Sequence, residues 1–215
     1  GNLSLDTMVR EVLQNCHDQK LESNSPVTVE FKLCDLKGEE RQKLLDAVAW
    51  EVLEEHLAGM AAHKNPVGET FARELQEIHD REFLRVLYIR DSGTKGLIGG
   101  EDEGKSNFGA LCRHVLQTSE ENQERGGSYG LGKAVLWAFS GVQTVVFTSR
   151  LSEPDKHGAC RLFGRSNLSY HRAHGEEWEG LGFFGLEDPT GRKRAVSAWE
   201  DDASFCAADL GMPFD

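Results

Sequence analysis

Apolar residues recur at helical spacing near the start of the chain. In "LDTMVREVLQNCHDQ", residues 5–19, they fall at Leu5, Met8, Val9, Val12, Leu13 and Cys16. That periodicity predicts an amphipathic helix, with Ser4 or Asp6 as its cap. "SPVTVEFKLCDL" (25–36) alternates and is rich in β-branched residues, the pattern of a strand. Residues 38–63 return to the helical period, with Leu44, Leu45, Val48, Val52, Leu53 and Leu57 expected inward. Pro66 ends that pattern, and "GETFARELQEIHDRE" (68–82) predicts another helix. "FLRVLYIRD" (83–91) has the apolar density of a buried strand and runs into a glycine-rich turn.

Residues 92–130 are polar and glycine-rich around one apolar patch, "NFGALCRHVL", which is expected to be helical. A stretch this long predicts a lid, placed at about residues 94–130. "LGKAVLWAFS" (131–140) predicts a helix and "VQTVVFTSR" (142–150) a strand, with further strands in 158–171 and 193–200. Strands cluster late without regular crossover helices. A mixed or antiparallel sheet layered with helices is therefore expected, rather than a doubly wound parallel sheet.

The 215 residues, 39% of them hydrophobic, suffice for one domain with a proper core. A net charge of −12 repels phosphate backbones, which argues against nucleic-acid binding through this domain. No apolar run approaches the ~18 residues of a membrane span and no secretory signal is visible, so no membrane partner is expected. Five scattered cysteines without a C-x-x-C pair read as reduced thiols in the cytoplasm.

"RGGSYGLGKAVLWAFS" (125–140) imitates a phosphate-binding P-loop from Gly127 to Lys133. Ala134 stands where a P-loop needs Ser or Thr, and the preceding "TSEENQERG" is too polar to be the buried strand that aims such a loop. Other residues suggest a different nucleotide grip. Glu11 and Asn15 lie one helical turn apart on one face, beside the apolar stripe. An amide oxygen can ligate a hard cation, and a carboxylate can orient or deprotonate a water. Asp91 closes a buried strand and is followed by Gly93 and Gly96; a carboxylate there can accept a hydrogen bond from an exocyclic amine such as that of adenine.

Taken in order, these are E-x-x-x-N-x-x-D, then D-x-G after a strand, then G-x-x-G-x-G opening a helix, then a strand ending in Thr. Over roughly residues 5–150 the set resembles the GHKL ATPase superfamily of gyrase B, the large heat-shock chaperone, histidine kinases and MutL. The resemblance implies a two-layer α/β sandwich of the Bergerat type, its mostly antiparallel mixed sheet covered on one face by helices, with a long ATP lid. It implies ATP and Mg²⁺ as ligands. Glu11 matches the general base, Asn15 the Mg²⁺ ligand and Asp18 the third position of that motif. Asp91 matches the adenine reader, with Gly93 and Gly96 as its glycine partners. Gly127, Ser128, Tyr129, Gly130, Leu131 and Gly132 match the phosphate-holding segment. Thr148 matches the strand-end threonine, and Lys133 sits where a cation meets the terminal phosphates. The second motif is one residue longer than the usual D-x-G-x-G, and Gln19 stands where the family usually carries alanine.

The implied activity is slow ATP hydrolysis that drives lid closure and then dimerisation or rearrangement of a larger protein. The whole of residues 1–215 reads as the N-terminal part of such a protein, with effector domains elsewhere. A nucleotide-sensing switch without turnover, and an interaction domain whose glycines are structural, are the alternatives. His171 and His174 are expected in a surface loop, Cys112 in packing with His114 as a polar neighbour, "GRKR" (191–194) as a solvated turn, and "GLGFFGLED" (180–188) in the core.

Overall fold

A computed structural model of the chain describes residues 4–21, 26–113 and 134–214. The first helix, α1 (Leu5–Asp18), starts where Ser4 holds an extended backbone and its hydroxyl accepts the Thr7 N–H at 3.2 Å. This satisfies one of the donors that a helix start leaves open. Met8 and Val12 are buried and pack with Val135. The predicted stripe is wider than the buried one: Leu5 is 63% exposed, and Leu13 also faces solvent. The neighbouring elements bury Met8 and Val12 and cover Val9 and Cys16 in part.

Beneath α1 lies a ribbon of β1 (Thr28–Lys37) and β2 (Phe83–Ser92), antiparallel and in unbroken register from Thr28↔Ser92 to Lys37↔Phe83. Val29, Phe31 and Ile89 share the face that packs on Met8 and Val12. An isolated pair of strands is marginal in water, and burying this face under a helix is what stabilises it.

Three helices connect the two strands: α2 (Gly38–Ala47), α3 (Trp50–Ala61) and α4 (Pro66–Asp80). The single helix expected over 38–63 is thus two. The chain turns at Ala49, which is left-handed at φ 48°, ψ 56°. Packing explains the break. Val48 belongs to a cluster with Leu162, Ala198 and Leu210, whereas Leu53 and Leu57 belong to another with Met60 and Phe71. The two halves of one apolar stripe serve two cores, which a straight helix cannot reach together. Val52, expected inward, is 52% exposed. The next helix starts two residues before its expected position, because Asn65 caps it: Oδ1 accepts the N–H groups of Val67 and Gly68 at 3.1 and 3.0 Å, with Pro66 at the first helical position.

A second sheet is built on β3 (Thr144–Asp155) and β4 (Gly158–Asn167), an antiparallel hairpin. The far edge of β4 takes β7 (Leu181–Phe184) and β10 (Ala198–Trp199). Two small ladders complete the set, β5 (His171–Ala173) with β6 (Glu176–Trp178), and β8 (Leu186–Glu187) with β9 (Ala195–Val196). Helix α7 (Glu200–Asp209), which the apolar pattern does not announce, buries Ala203 and Ala207 with Leu162 and Val48. The chain is therefore α/β with antiparallel sheets. The one mixed sheet of the expectation is divided among the described residues into four separate sheets, with β2 and β3 unpaired to each other.

The first part of the expected lid belongs to the body. Phe108 and Cys112 are fully buried with Phe163, the latter pair carried by α5 (Gly109–Arg113), a π-helical turn, and by β4. Arg161 of β4, also without exposure, donates to the carbonyls of Leu97 and Gly99 at 2.9 and 2.7 Å, to Glu101 at 3.0 Å and to Ser197 Oγ at 2.8 Å. Its guanidinium lies over the Phe108 ring, 3.3 Å from the centroid. A buried charge is tolerated when it is paired and hydrogen-bonded on every side, and these bonds fix residues 97–108 to the sheet. Burial pushes the Glu101 carboxyl up, but hydrogen bonds from Ser197 and Arg113 outweigh it and hold the group below the ordinary glutamate value. Residues 114–130 of the expected lid lie outside the described residues.

Candidate functional site

The C-terminal half of α1, the end of β2 and the middle of β3 surround one cleft of about 1420 Å³. That exceeds the ~300–1,000 Å³ of an ordinary small-molecule site. Its lining includes Glu11, Asn15 and Asp18 from α1, Asp91, Gly93 and Gly96 from β2 and its following loop, and Thr148 from β3. The expected site residues that are described thus meet at a single cavity. The segment from Gly127 to Lys133, with Ser128, Tyr129, Gly130, Leu131 and Gly132, lies outside the described residues. The helix that follows it, α6 (Ala134–Ala138), buries Val135 against Met8 and Val12 of α1.

Glu11 is mostly buried and pairs with Arg10 at 3.4 Å. Asp91 accepts the hydroxyl of Thr94. Cys16, the residue after Asn15 on α1, borders Asp91: burial first, and the Asp91 charge second, push its thiol up to about 12. Cys16 therefore stays a neutral thiol at physiological pH.

The loop after Asp91 pairs its backbone with the chain just past α1. Lys95 N–H donates to the Gln19 carbonyl at 2.8 Å, and Leu21 N–H to that of Gly93 at 3.0 Å. Gly93 is left-handed at φ 80°, and a side chain there would strike the Pro26 carbonyl. Gly96, at φ 74°, lies against β3: a Cβ would come 2.6 Å from Ser149 Oγ and 2.9 Å from the Arg150 carbonyl. Its role in this fold is close approach to β3. Leu97 N–H donates to Ser149 Oγ at 2.9 Å, and Lys95 O accepts from Ser152 N–H at 3.1 Å.

No family model, curated protein or solved structure matches this chain. The chemistry of the site therefore rests on its own residues. Among the described residues no group of three or more His, Cys, Asp or Glu side chains could hold a metal ion. A magnesium–nucleotide complex still fits the donor set. It would bring phosphate oxygens as ligands and would need from the protein an amide or carboxylate oxygen, of the kind Asn15 carries at the cleft wall.

Sequence reasoning missed two residues around the cleft and gave a third, Gln19, no role. Gln19, Asn107 and Ser149 hold the Asp91 loop in place, and nothing in the local spacing reveals this, because each partner is distant in sequence. Other expectations need correction. His171 is in β5 with 2% exposure, not in a surface loop, and its Nε2 is 2.8 Å from His56 Nδ1. Arg194 is bonded to Asp188 and Asp102 rather than merely solvated. In the "GLGFFGLED" run Phe184 joins the core, but Leu181, Phe183 and Leu186 are exposed. Cys112 is a buried packing residue, and burial pushes its thiol up to about 12. Among the described residues no helix is long and apolar enough to cross a membrane.

Proposed function

We propose that the cleft binds ATP with Mg²⁺ and that the chain hydrolyses it slowly, as a divergent GHKL-type ATPase whose nucleotide state rearranges or dimerises a larger protein. The supporting observation is convergence. Glu11, Asn15, Asp18, Asp91, Gly93, Gly96 and Thr148, singled out by motif order, come from three distant segments and line one cavity.

In this reading Asp91 accepts the exocyclic amine of adenine, and the glycine turn leaves room for the ring. Asn15 offers its amide oxygen to the metal, and Asp18 lies toward the sugar. Glu11 orients the attacking water and takes its proton. Magnesium, when bound, neutralises charge on the phosphate oxygens. The Gly127–Gly132 stretch would meet those oxygens with backbone N–H groups, and Lys133 with its ammonium. The packing of Val135 in α6 against Met8 and Val12 of α1 supports this, because it sets the helix that follows that stretch beside the helix of Glu11 and Asn15.

Thermal unfolding with and without Mg-ATP is the direct test. At 100 times Kd the ligand adds about 2.7 kcal/mol, or about 5–10 °C for a chain of this size. No shift at millimolar Mg-ATP would sink the assignment.

A further inference from the structure

The cleft is built from segments that share no strand pairing, since β2 and β3 belong to different ladders. Something must hold the α1 wall, which carries Asn15 and Asp18, in register with the Asp91 loop. Two backbone hydrogen bonds, which together form the antiparallel Lys20–Thr94 bridge, join them directly. One side chain joins both to the core. Asn107 Nδ2 donates to the side-chain oxygen of Gln19 and, at 3.2 Å, to the carbonyl of Gly96. A carbonyl only accepts, so the Asn107 amide has one orientation here, and Gln19 must turn its oxygen toward it. The next residue, Phe108, has no exposure, lies under Arg161, and sends its N–H to Ile98 O at 3.1 Å. Asn107 is thus rooted in the core while its amide grips the end of α1 and the glycine turn together.

We propose that Asn107, acting through Gln19 and Gly96, is the positioning residue that sets the base-reading loop against α1 and so tunes discrimination between adenine and other bases. This inference rests on the ATP reading of the cleft. Asn107 itself need touch no ligand. Gln19, the departure from the family pattern at the end of the first motif, is its partner, so the joint belongs to this chain in particular.

The experiment compares wild type with Asn107→Ala, Asn107→Asp and Gln19→Ala, using fluorescent ATP and GTP analogues with Mg²⁺. Val48→Ala serves as a stability control, since Val48 packs with Leu162 and Leu210 in a cluster that contains no residue of the joint. Asn107→Ala is expected to reduce the ATP-over-GTP preference about tenfold, the effect of one to two hydrogen bonds. Asn107→Asp is expected to lose at least as much, because a carboxylate then faces the Gly96 carbonyl. Val48→Ala should lower Tm while leaving the preference unchanged. Equal preference in wild type and Asn107→Ala, or an equal loss in Val48→Ala, overturns the proposal. If wild type binds neither nucleotide, the ATP reading fails separately. Hydrogen exchange in the ligand-free protein then decides the joint: faster exchange at the Lys95 and Phe108 amides in Asn107→Ala upholds it, and unchanged exchange overturns it.

Discussion

Gly96→Ala tests the architecture of the cleft without any assumption about its ligand. Three costs follow from the geometry. Alanine at φ 74° pays about 1–2 kcal/mol for the left-handed region. The new Cβ would stand 2.6 Å from Ser149 Oγ, so that hydroxyl must rotate away. Rotation strips the Leu97 N–H of its acceptor at 2.9 Å, which costs about 1–2 kcal/mol in a half-buried position. The Arg150 carbonyl, at 2.9 Å, belongs to a strand backbone and yields little. The sum is about 2–4 kcal/mol, or a fall in Tm of roughly 5–12 °C for a domain of this size. Urea unfolding followed by far-UV circular dichroism measures it. A double-mutant cycle with Ser149→Ala sharpens the test, since in that background the hydroxyl is gone and the Leu97 N–H is already orphaned. Gly96→Ala should then cost only about 1–2 kcal/mol, the conformational part. A total below ~1 kcal/mol would refute the close approach of this turn to β3, and the full cost in both backgrounds would refute the part assigned to Ser149.

Asp91→Asn should weaken Mg-ATP binding about 10–100-fold while leaving Tm of the free protein within about 2 °C, because the amide keeps an acceptor for Thr94; unchanged affinity in a titration removes Asp91 from base recognition. Glu11→Ala should abolish phosphate release yet retain nucleotide affinity within about threefold, and persisting turnover would assign the base elsewhere. Ala49→Gly should raise Tm by about 2–4 °C, since glycine relieves the left-handed backbone between α2 and α3; a fall in Tm would mean that the bend is not strained. Burial, then the nearby His171 and His174, hold His56 below its ordinary value of 6.5, against a smaller opposite pull from Glu55. The unfolded chain therefore binds the proton more readily than the folded one. The His56 contribution is complete above about pH 6.5 and is lost as pH falls below it. Wild type should lose more unfolding free energy between pH 7.5 and 5.5 than His56→Gln does, and parallel losses would contradict the assignment.

Periodicity alone was enough to place helices α1 and α4 and strands β1, β2, β3 and β4, because the apolar pattern that marks each repeats along its own length. The same holds for the cleft residues on α1. Glu11 and Asn15 lie one turn apart in any helix, and Asp91 ends its strand in any register. Tertiary structure decided what depends on partners far along the chain. It broke the helix expected over 38–63 at Ala49, since Val48 and Leu53 bury into different cores. It drew residues 94–113 out of the expected lid and into the body, because Arg161 is buried and its donors need the carbonyls of Leu97 and Gly99. It buried His171 against His56 and made Asn107 a bridge between Gln19 and Gly96. A local pattern records which face a residue presents; only the assembled fold determines what meets that face.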